Sequence, residues 1–299
     1  MMNITVIGCG ETGATITSLL LSKYNDLTLN VLDPDNNISG KILDLEHAAT
    51  SSKSVIKWNN YKSASDSNYV FFTAGTRGSV GEDRSKKAKE NKQLIESIFN
   101  QFTPKTNALI ITISNPTEPM SYWINEHLNR KNIVVSTGTS LDTFRLQLII
   151  AKHLNKSINN VNTMVIGEHG NNMTPLYSQT SISGDLIIDL VSEKQLNEFS
   201  LELRNSATQI RKTESATKYG VSQCAVHIFE NFISPNKAKM AVSVSSEKIN
   251  QLTTKNIHVS WPCKIGNHSI EVIQNIKMNE HENDQLKKAV EAINRTTNQ

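Results

Sequence analysis

The sequence predicts an α/β protein, with a doubly wound parallel sheet in its N-terminal half and an α+β domain in its C-terminal half. In the first half, short β-branched and apolar runs alternate with helical stretches, which is typical of parallel strands joined by crossover helices. In the second half, a hairpin-like pair at 177–189 precedes long helical stretches at 191–211 and 217–230, and strands are expected at 240–246 and 256–259. The 299 residues are enough for two hydrophobic cores. We therefore predict two domains, at residues 1–139 and 140–299.

A glycine motif, GCGETG at residues 8–13, follows directly after the first predicted strand. A helix and a second strand come next, and that strand ends in Asp33, 20 positions after the last glycine. Gly8 allows the tight turn, Gly10 lets the backbone approach a pyrophosphate, and Gly13 lets helix and strand pack closely. The N–H groups and the dipole of the helix then hold the phosphates. The carboxylate of Asp33 suits the adenosine ribose hydroxyls and repels a 2′-phosphate, so the motif predicts NAD rather than NADP.

Later strands of the same half end in small or polar residues. The strand predicted at 66–75 ends in Thr-Ala-Gly, and small side chains at a carboxyl edge let a cofactor lie close. The strand at 108–113 is followed by Ser-Asn-Pro, where the proline stops the ladder and determines the turn. One more strand, at 134–138, completes the predicted sheet.

A polar segment with two glycines, RGSVGEDR at 77–84, precedes a long helical stretch that runs through Asn91 and Ser97. This composition is typical of a lid loop that closes over a bound substrate. Arg84, at the end of the segment, is either a lid residue or a solvated surface arginine.

A histidine-centred turn, GEHG at 167–170, follows the apolar run 161–166, which we interpret as one buried strand. Taken alone, such a histidine is more often structural than catalytic. Upstream, however, Asp142 and Arg145 lie three positions apart at the start of a predicted helix and therefore share one face. An aspartate can orient and charge an imidazole, and an arginine offers a planar fork to a carboxylate. If the two segments meet in the fold, these three residues would form a proton-transfer site for an anionic substrate, with His169 as the acid–base group.

The motifs LDTFR at 141–145 and GEHG resemble the L-lactate and malate dehydrogenase superfamily, over essentially the whole chain. TGTSLDTFR and ATKYG are similar to L-2-hydroxyisocaproate dehydrogenases. The resemblance implies an N-terminal Rossmann domain, a catalytic C-terminal domain, and reversible hydride transfer between NADH and a 2-oxoacid. The implied catalytic and substrate residues are Arg145 for the substrate carboxylate, Arg84 and His169 for the carbonyl oxygen, Asp142 behind the imidazole, Asn115 beside nicotinamide and substrate, and Thr217 in the pocket wall. The implied cofactor contacts are Gly8, Gly10, Thr12, Gly13, Asp33, Tyr61, Ala74, Gly75, Thr76, Ser97, Ile113, Asn115 and Thr137.

The position that selects the substrate in this superfamily lies six residues before the lid arginine. Lactate dehydrogenases usually have glutamine there and malate dehydrogenases have arginine, whereas this chain has Gly78. A second substrate carboxylate would lack a partner at Gly78, so we expect pyruvate or a bulkier apolar 2-oxoacid. Two alternatives stay open: a malate dehydrogenase, or a non-catalytic NAD-binding scaffold. A non-catalytic scaffold would be expected to have lost at least one of four residues, and the sequence contains all of them: Arg84, Asp142, Arg145 and His169.

Composition restricts the partners. With a net charge of +3 and interspersed charges, the chain shows no pattern for nucleic acid or a membrane surface. No cysteine or histidine spacing predicts a metal, and the three scattered cysteines are expected to be buried thiols in a reducing compartment. No signal-peptide or transmembrane pattern is present, so we expect a cytoplasmic protein.

The resemblance implies a homodimer or homotetramer. Some bacterial lactate dehydrogenases bind an activating sugar bisphosphate at two cationic positions that here hold Gln147 and Asn162.

Overall fold

The structure is a computed structural model that describes residues 2–75, 84–214 and 216–299, and only the backbone of Arg84 and Ser85. The chain divides into two compact units. The first comprises residues 1–136, 218–229 and 296–299, and the second comprises residues 137–217 and 230–295.

The first unit contains a parallel sheet flanked by helices. Its elements are β1 (Met2–Ile7), α1 (Glu11–Lys23), β2 (Leu27–Leu32), α2 (Ser39–Ala49), β3 (Val55–Trp58), α3 (Tyr61–Ala64), β4 (Tyr69–Phe72), α4 (Arg84–Phe99), β5 (Leu109–Thr112), α5 (Thr117–His127), β6 (Ile133–Ser136) and, from later in the chain, most of α9 (Tyr219–Ile233). Within the described residues the strand order is β3-β2-β1-β4-β5-β6, with every neighbouring pair parallel. This is the doubly wound order of a Rossmann sheet, in which right-handed crossovers bury both faces.

Both faces of this sheet are covered by apolar side chains. One face packs against a cluster that includes Ile7, Phe72, Phe99 and Trp123. On the other face, the ring of Phe229 contacts three aromatic side chains edge-on, namely Tyr24, Tyr69 and Phe71. Burial on both faces agrees with the continuous apolar run of β4. In β1 and β2 apolar residues alternate with polar ones, and the polar Thr5 and Asn30 are buried and hydrogen-bonded.

The second unit mixes antiparallel strands with long helices. Its elements are α6 (Ser140–His153), β7 (Val161–Asn162), β8 (Val165–Gly167), β9 (Met173–Pro175), β10 (Ser181–Ile182), β11 (Asp185–Leu186), α7 (Ile187–Leu190), α8 (Glu193–Ile210), β12 (Ala238–Ser245), β13 (His258–Gly266), β14 (Ser269–Val272), most of α10 (Glu280–Thr297) and the end of α9 (Tyr219–Ile233). Strand β13 pairs with β12, β14 and β8, and β8 pairs with β9. Strands β11, β10 and β7 form a separate small sheet. The α/β class with an N-terminal parallel sheet is thereby confirmed.

Three predicted elements differ from the structure. The apolar run 161–166 is not one strand, because β7 pairs with β10 in the small sheet whereas β8 pairs with β9 and β13. The hairpin predicted at 177–189 is confined to the two short strands β10 and β11, and the residues after β11 form α7. The strand predicted at 256–259 is part of a longer strand, β13, because β12 pairs with β13 continuously from His258 to Ile265.

Candidate functional site

The carboxyl edge of the parallel sheet collects the predicted dinucleotide residues of the first unit. Ile7 is in register with Leu32 and with Phe72, and Phe72 is in register with Thr112, so β1, β2, β4 and β5 end side by side. The glycine motif, Asp33, Ala74, Gly75, Ile113 and Asn115 directly follow these four ends. In open α/β sheets this edge is where ligands bind.

The backbone of the glycine motif permits a closely packed turn. Gly8 has φ +87°, a left-handed conformation that favours glycine, and a Cβ at Gly13 would lie 1.9 Å from the Gly8 carbonyl oxygen. Thr73 supports the turn from just after β4, since its hydroxyl lies 2.9 Å from the Ile7 oxygen and 2.8 Å from the Gly8 oxygen, and these two carbonyls share its one hydrogen. The helix α1 can therefore start directly against the strand end.

The start of α1 suits a diphosphate. Gly10 is its N-cap, no side chain among the described residues caps the helix there, and a Cβ at Gly10 would meet nothing within 4 Å. An open helix N-terminus with uncapped N–H groups binds phosphate through hydrogen bonds and through the helix dipole. The residues present therefore fit the diphosphate of NAD, with the backbone of the motif as its holder.

Asp33 is held beside this turn. Its carboxylate accepts hydrogen bonds from the N–H of Cys9 at 2.7 Å and from the N–H of Asp35 at 3.0 Å. The backbone of Asp33 is held by Asn59, whose side chain accepts from its N–H and donates to its carbonyl. No sequence motif indicates this role of Asn59, which follows the short strand β3. With its orientation determined in this way, the carboxylate suits the ribose hydroxyls of NAD.

The other predicted cofactor residues lie in different elements and differ in exposure. Ile113 is buried, Gly75 and Asn115 are exposed, and the hydroxyl of Ser114 donates to the carbonyl of Ala74. Four further predicted cofactor contacts lie among the described residues: Thr12 in α1, Tyr61 at the start of α3, Ser97 on the exposed side of α4, and Thr137, which is buried in the second unit.

In the second unit, two threonines attach the first turn of α6 to β8. Thr139 donates its hydroxyl to the carbonyl of Val165 at 2.6 Å, and Thr143 accepts a hydrogen bond from the N–H of Val165 at 3.0 Å. The strand β8 leads two residues later into His169. These bonds place Asp142, between the two threonines, beside the histidine turn.

Asp142, His169 and Arg145 form one contiguous group. The carboxylate of Asp142 is fully buried; its Oδ2 lies 2.6 Å from His169 Nδ1 and its Oδ1 lies 3.1 Å from Arg145 Nη1. Since an ionised carboxylate only accepts, both nitrogens donate to it. The side chains of His169 and Arg145 keep 24% and 14% of their surface exposed, so both can also meet a ligand.

The electrostatics of this group favour a charged Asp142. Burial raises the pKa of its carboxyl, but the charges and hydrogen bonds of His169 and Arg145 outweigh burial, and the resulting pKa lies below the ordinary value of 3.8. A permanent anion at this place fixes the proton of His169 on Nδ1 and stabilises the charged imidazole.

The residues predicted in the lid and in the pocket wall are described only in part. Thr76 and Gly78 are outside the described residues, and so are the lid segment up to residue 83 and the side chain of Arg84. The backbone of Arg84 forms the first residue of α4. Thr217 lies in the loop before α9 and is partly exposed.

The histidine turn has a support that the sequence did not reveal. Glu168 accepts hydrogen bonds from the side-chain amide of Asn172 at 2.6 Å and from its N–H at 3.3 Å. The two residues are four positions apart and enclose the turn that carries His169.

Comparisons with known proteins agree with both units. The sequence profile of the lactate/malate dehydrogenase NAD binding domain matches residues 2–135, and that of the lactate/malate dehydrogenase alpha/beta C-terminal domain matches residues 139–299. The chain belongs to the lactate/malate dehydrogenase family. As a family member it is an oxidoreductase, and its cofactor is NAD.

Relatives with both names are similar to this family member. The L-lactate dehydrogenase of Clostridium botulinum is 29% identical over 307 residues, with 99% of this chain and 96% of the relative covered. The malate dehydrogenase of Chlorobium limicola is also 29% identical over 307 residues, with 99% of this chain and 98% of the relative covered. The crystal structure of a lactate dehydrogenase enzyme from a Medee basin deep-sea metagenome library has a TM-score of 0.88 at 24% identity, covers 99% of this chain and 98% of its own, and supports the fold.

We expect this family member not to be activated by fructose 1,6-bisphosphate. Gln147 and Asn162 are neutral, and the amide of Gln147 donates to the carbonyls of Ile158 and Val161 at 3.0 and 2.8 Å. Both side chains line a cavity of about 220 Å³ that Lys239 also lines. Two phosphates need more charge-assisted partners than one lysine supplies. Initial rates at varied 2-oxoacid concentration, with and without the bisphosphate, check this; a clear fall in KM would contradict it.

Membrane spans and metal clusters are not found in the described residues. No helix in the parts of the chain that the structure describes is long and apolar enough to cross a membrane. Among residues 2–75, 84–214 and 216–299, no three or more histidine, cysteine, aspartate or glutamate side chains are grouped to hold a metal ion.

Proposed function

We propose that this oxidoreductase is an NAD-dependent L-2-hydroxyacid dehydrogenase that reduces 2-oxo monocarboxylic acids. The observation that carries the proposal is the buried Asp142, which binds His169 with one oxygen and Arg145 with the other. An imidazolium and a guanidinium on one shared carboxylate provide a proton donor and a carboxylate receptor side by side. A 2-oxoacid has a carbonyl and a carboxylate on adjacent carbons, so it fits this pair.

The residues of the chain would act as follows. Arg145 binds the substrate carboxylate with the part of its fork that Asp142 does not occupy. His169 transfers its proton to the carbonyl oxygen at Nε2, because Nδ1 is bound to Asp142. When bound, NADH would supply the hydride that the carbonyl carbon receives, and the products would be the 2-hydroxyacid and NAD⁺. Asp142 remains ionised throughout and stabilises the charged form of His169.

The roles of the other predicted residues complete the proposal. Arg84 would polarise the carbonyl when the lid closes, Asn115 would bridge nicotinamide and substrate, and Thr217 would form part of the pocket wall. Closure over the substrate excludes water and strengthens these charge interactions. We further propose a cytoplasmic homodimer or homotetramer, as the family resemblance implies.

Oxidation of NADH with three substrates tests the proposed specificity. Pyruvate, oxaloacetate and 2-oxoisocaproate differ in the charge and volume of the side chain, and their kcat/KM values are compared at one pH. We expect the two monocarboxylates to be preferred. A preference for oxaloacetate would select the second candidate, a malate dehydrogenase, which the Chlorobium limicola relative favours. No turnover of any 2-oxoacid would favour the non-catalytic scaffold.

Replacing Gly78 by arginine is expected to shift preference towards oxaloacetate. If Gly78 is the selector, the new cation gains a charge-assisted pair with the second carboxylate, worth about 1.5–3 kcal/mol or roughly one to two orders of magnitude in kcat/KM. Bulky apolar substrates should lose activity in the same variant because the arginine fills their volume. The ratio of oxaloacetate to 2-oxoisocaproate activity measures both effects.

Gly78→Ala is the control for this substitution, since it adds the backbone restriction without the charge. If Gly78→Arg folds and leaves the ratio unchanged, Gly78 is not the selector, and Arg77, the cationic residue one position earlier, becomes the better candidate.

A further inference from the structure

An acidic residue, Glu11, lies inside the dinucleotide motif. It is the first residue of α1 and directly follows Gly10, at the helix end where the diphosphate is expected. A lone carboxylate at a helix N-terminus is stabilised by the helix dipole, but it repels a phosphate that approaches the same N–H groups. Glu11 is therefore expected to weaken the binding of the diphosphate, which is the opposite of what the glycine motif does.

Two lysines from distant parts of the chain bind this carboxylate. Lys218 Nζ lies 2.9 Å from Glu11 Oε2, and Lys41 Nζ lies 3.4 Å from Glu11 Oε1. Lys41 also donates to the carbonyl of Cys9, within the motif, at 3.3 Å. Hydrogen bonds from Lys218 and then Lys41 lower the pKa of Glu11 below 4.5, so the group is two ammoniums around one carboxylate.

Lys218 is the better positioned of the two lysines. Only 18% of its side chain is exposed, compared with 35% for Lys41, and its ammonium also lies 5.3 Å from the ring centre of Tyr219. Next to it, the hydroxyl of Ser222 in α9 donates to the carbonyl of Thr12 at 3.2 Å. All of these residues belong to the first unit. The start of α9 therefore holds a cation against the start of α1.

We propose that Glu11 sets the affinity for the dinucleotide: Lys41 and Lys218 attract its diphosphate, and Glu11 opposes them by engaging both ammonium groups and by repelling the phosphates. The net charge of the group is +1, from two lysines and one glutamate. The proposal rests on the binding of NAD and not on the identity of the 2-oxoacid. A cofactor that is attracted but not held too tightly can leave after each turnover, and release often limits kcat in such enzymes.

The expected effects are moderate, since the three side chains are partly exposed and solvent screens them. Removing one charge near a diphosphate should change the dissociation constant by about three- to tenfold at low salt. Lysine carries its charge on a flexible stem, so either ammonium can turn from Glu11 towards a phosphate without backbone movement.

Titration of NADH fluorescence in the absence of a 2-oxoacid tests the proposal, because it measures binding and not turnover. Glu11→Gln should lower the Kd for NADH about three- to tenfold, and Lys218→Met should raise it by a similar factor. Lys41→Met should raise it as well. The salt dependence of the Kd should weaken in each lysine variant, because one cation fewer faces the phosphates.

The opposite signs distinguish this role from a structural one. If the ion pair only attaches α9 to α1, Glu11→Gln and Lys218→Met break the same link and change the Kd in the same direction, which would overturn the proposal. An unchanged or raised Kd in Glu11→Gln overturns it even if the lysine variants fail to fold. Lys287→Met is the matched control, since Lys287 forms an exposed pair with Asp284 at 2.9 Å on α10 and should leave the Kd unchanged. Adenosine, which lacks phosphates, should bind all variants equally.

Discussion

Replacing Asp142 by asparagine is expected to lower kcat/KM for 2-oxoacid reduction by about 10²- to 10³-fold at neutral pH. The carboxylate accepts from His169 with one oxygen and from Arg145 with the other, whereas an amide has one oxygen and one donating nitrogen. One of the two partners must therefore face an N–H group. The imidazolium also loses the anion that stabilises it.

The pH dependence of this variant is a separate test. Reduction needs a charged His169, so the rate of reduction falls as the pH rises. Without the Asp142 carboxylate, His169 loses its charge at a lower pH, and the fall in the rate of reduction should move to lower pH. Oxidation needs a neutral His169, so its rising limb should move the same way, and oxidation at neutral pH should lose less than reduction. Initial rates in both directions across the pH range measure this. One shared, unshifted profile would show that His169 is not the acid–base group.

Glu282→Gln is the control for loss of a buried carboxylate. Glu282 is buried in the same unit and accepts hydrogen bonds from Ser178 and from the N–H of Asn279, and not from His169 or Arg145. Thermal unfolding of both variants shows what removal of a buried acid does to stability. Only Asp142→Asn should move the pH profiles.

Local patterns in the sequence were sufficient to predict the parallel sheet and to single out Asp142, Arg145 and His169, which the structure brings together. Each depends on residues close in the chain: apolar runs for the strands, glycines for the turn, and a three-residue spacing that places Asp142 and Arg145 on one helix face. The contact of this face with the turn of His169 had to be inferred by resemblance. In the structure it depends on Thr139 and Thr143, two threonines that no sequence pattern distinguishes from others.

Contacts between distant parts of the chain were not predictable in this way. The run 161–166 looks like one strand because its apolar residues are continuous, but its two halves pair with strands in different sheets. Lys218 and Glu11 are 207 positions apart, and nothing near either residue indicates the ion pair. Sequence periodicity reports which residues are buried, whereas the choice of partner depends on tertiary packing.

Replacing Arg145 by lysine is expected to lower kcat/KM for 2-oxoacids by about 10²- to 10³-fold although the charge is conserved. The guanidinium can bind Asp142 through Nη1 and offer its other N–H groups to a substrate in a planar fork. The lysine ammonium is a point charge on a shorter side chain, so it can bind either the Asp142 carboxylate or the substrate carboxylate well, but not both. Arg130→Lys is a suitable control, because Arg130 forms an exposed two-point contact with Glu126 by its Nε and Nη2, at 2.7 and 3.2 Å.

The substrate carboxylate can be tested directly with a neutral analogue. The methyl ester of pyruvate keeps the carbonyl but lacks the charge, so the wild-type enzyme should strongly prefer pyruvate over the ester. In Arg145→Lys this preference should shrink, because the loss falls on the acid and hardly affects the ester. Steady-state rates for both compounds, with KM and kcat separated, measure the change. If the variant loses the same factor on acid and ester, Arg145 supports the histidine through Asp142 and does not bind the carboxylate.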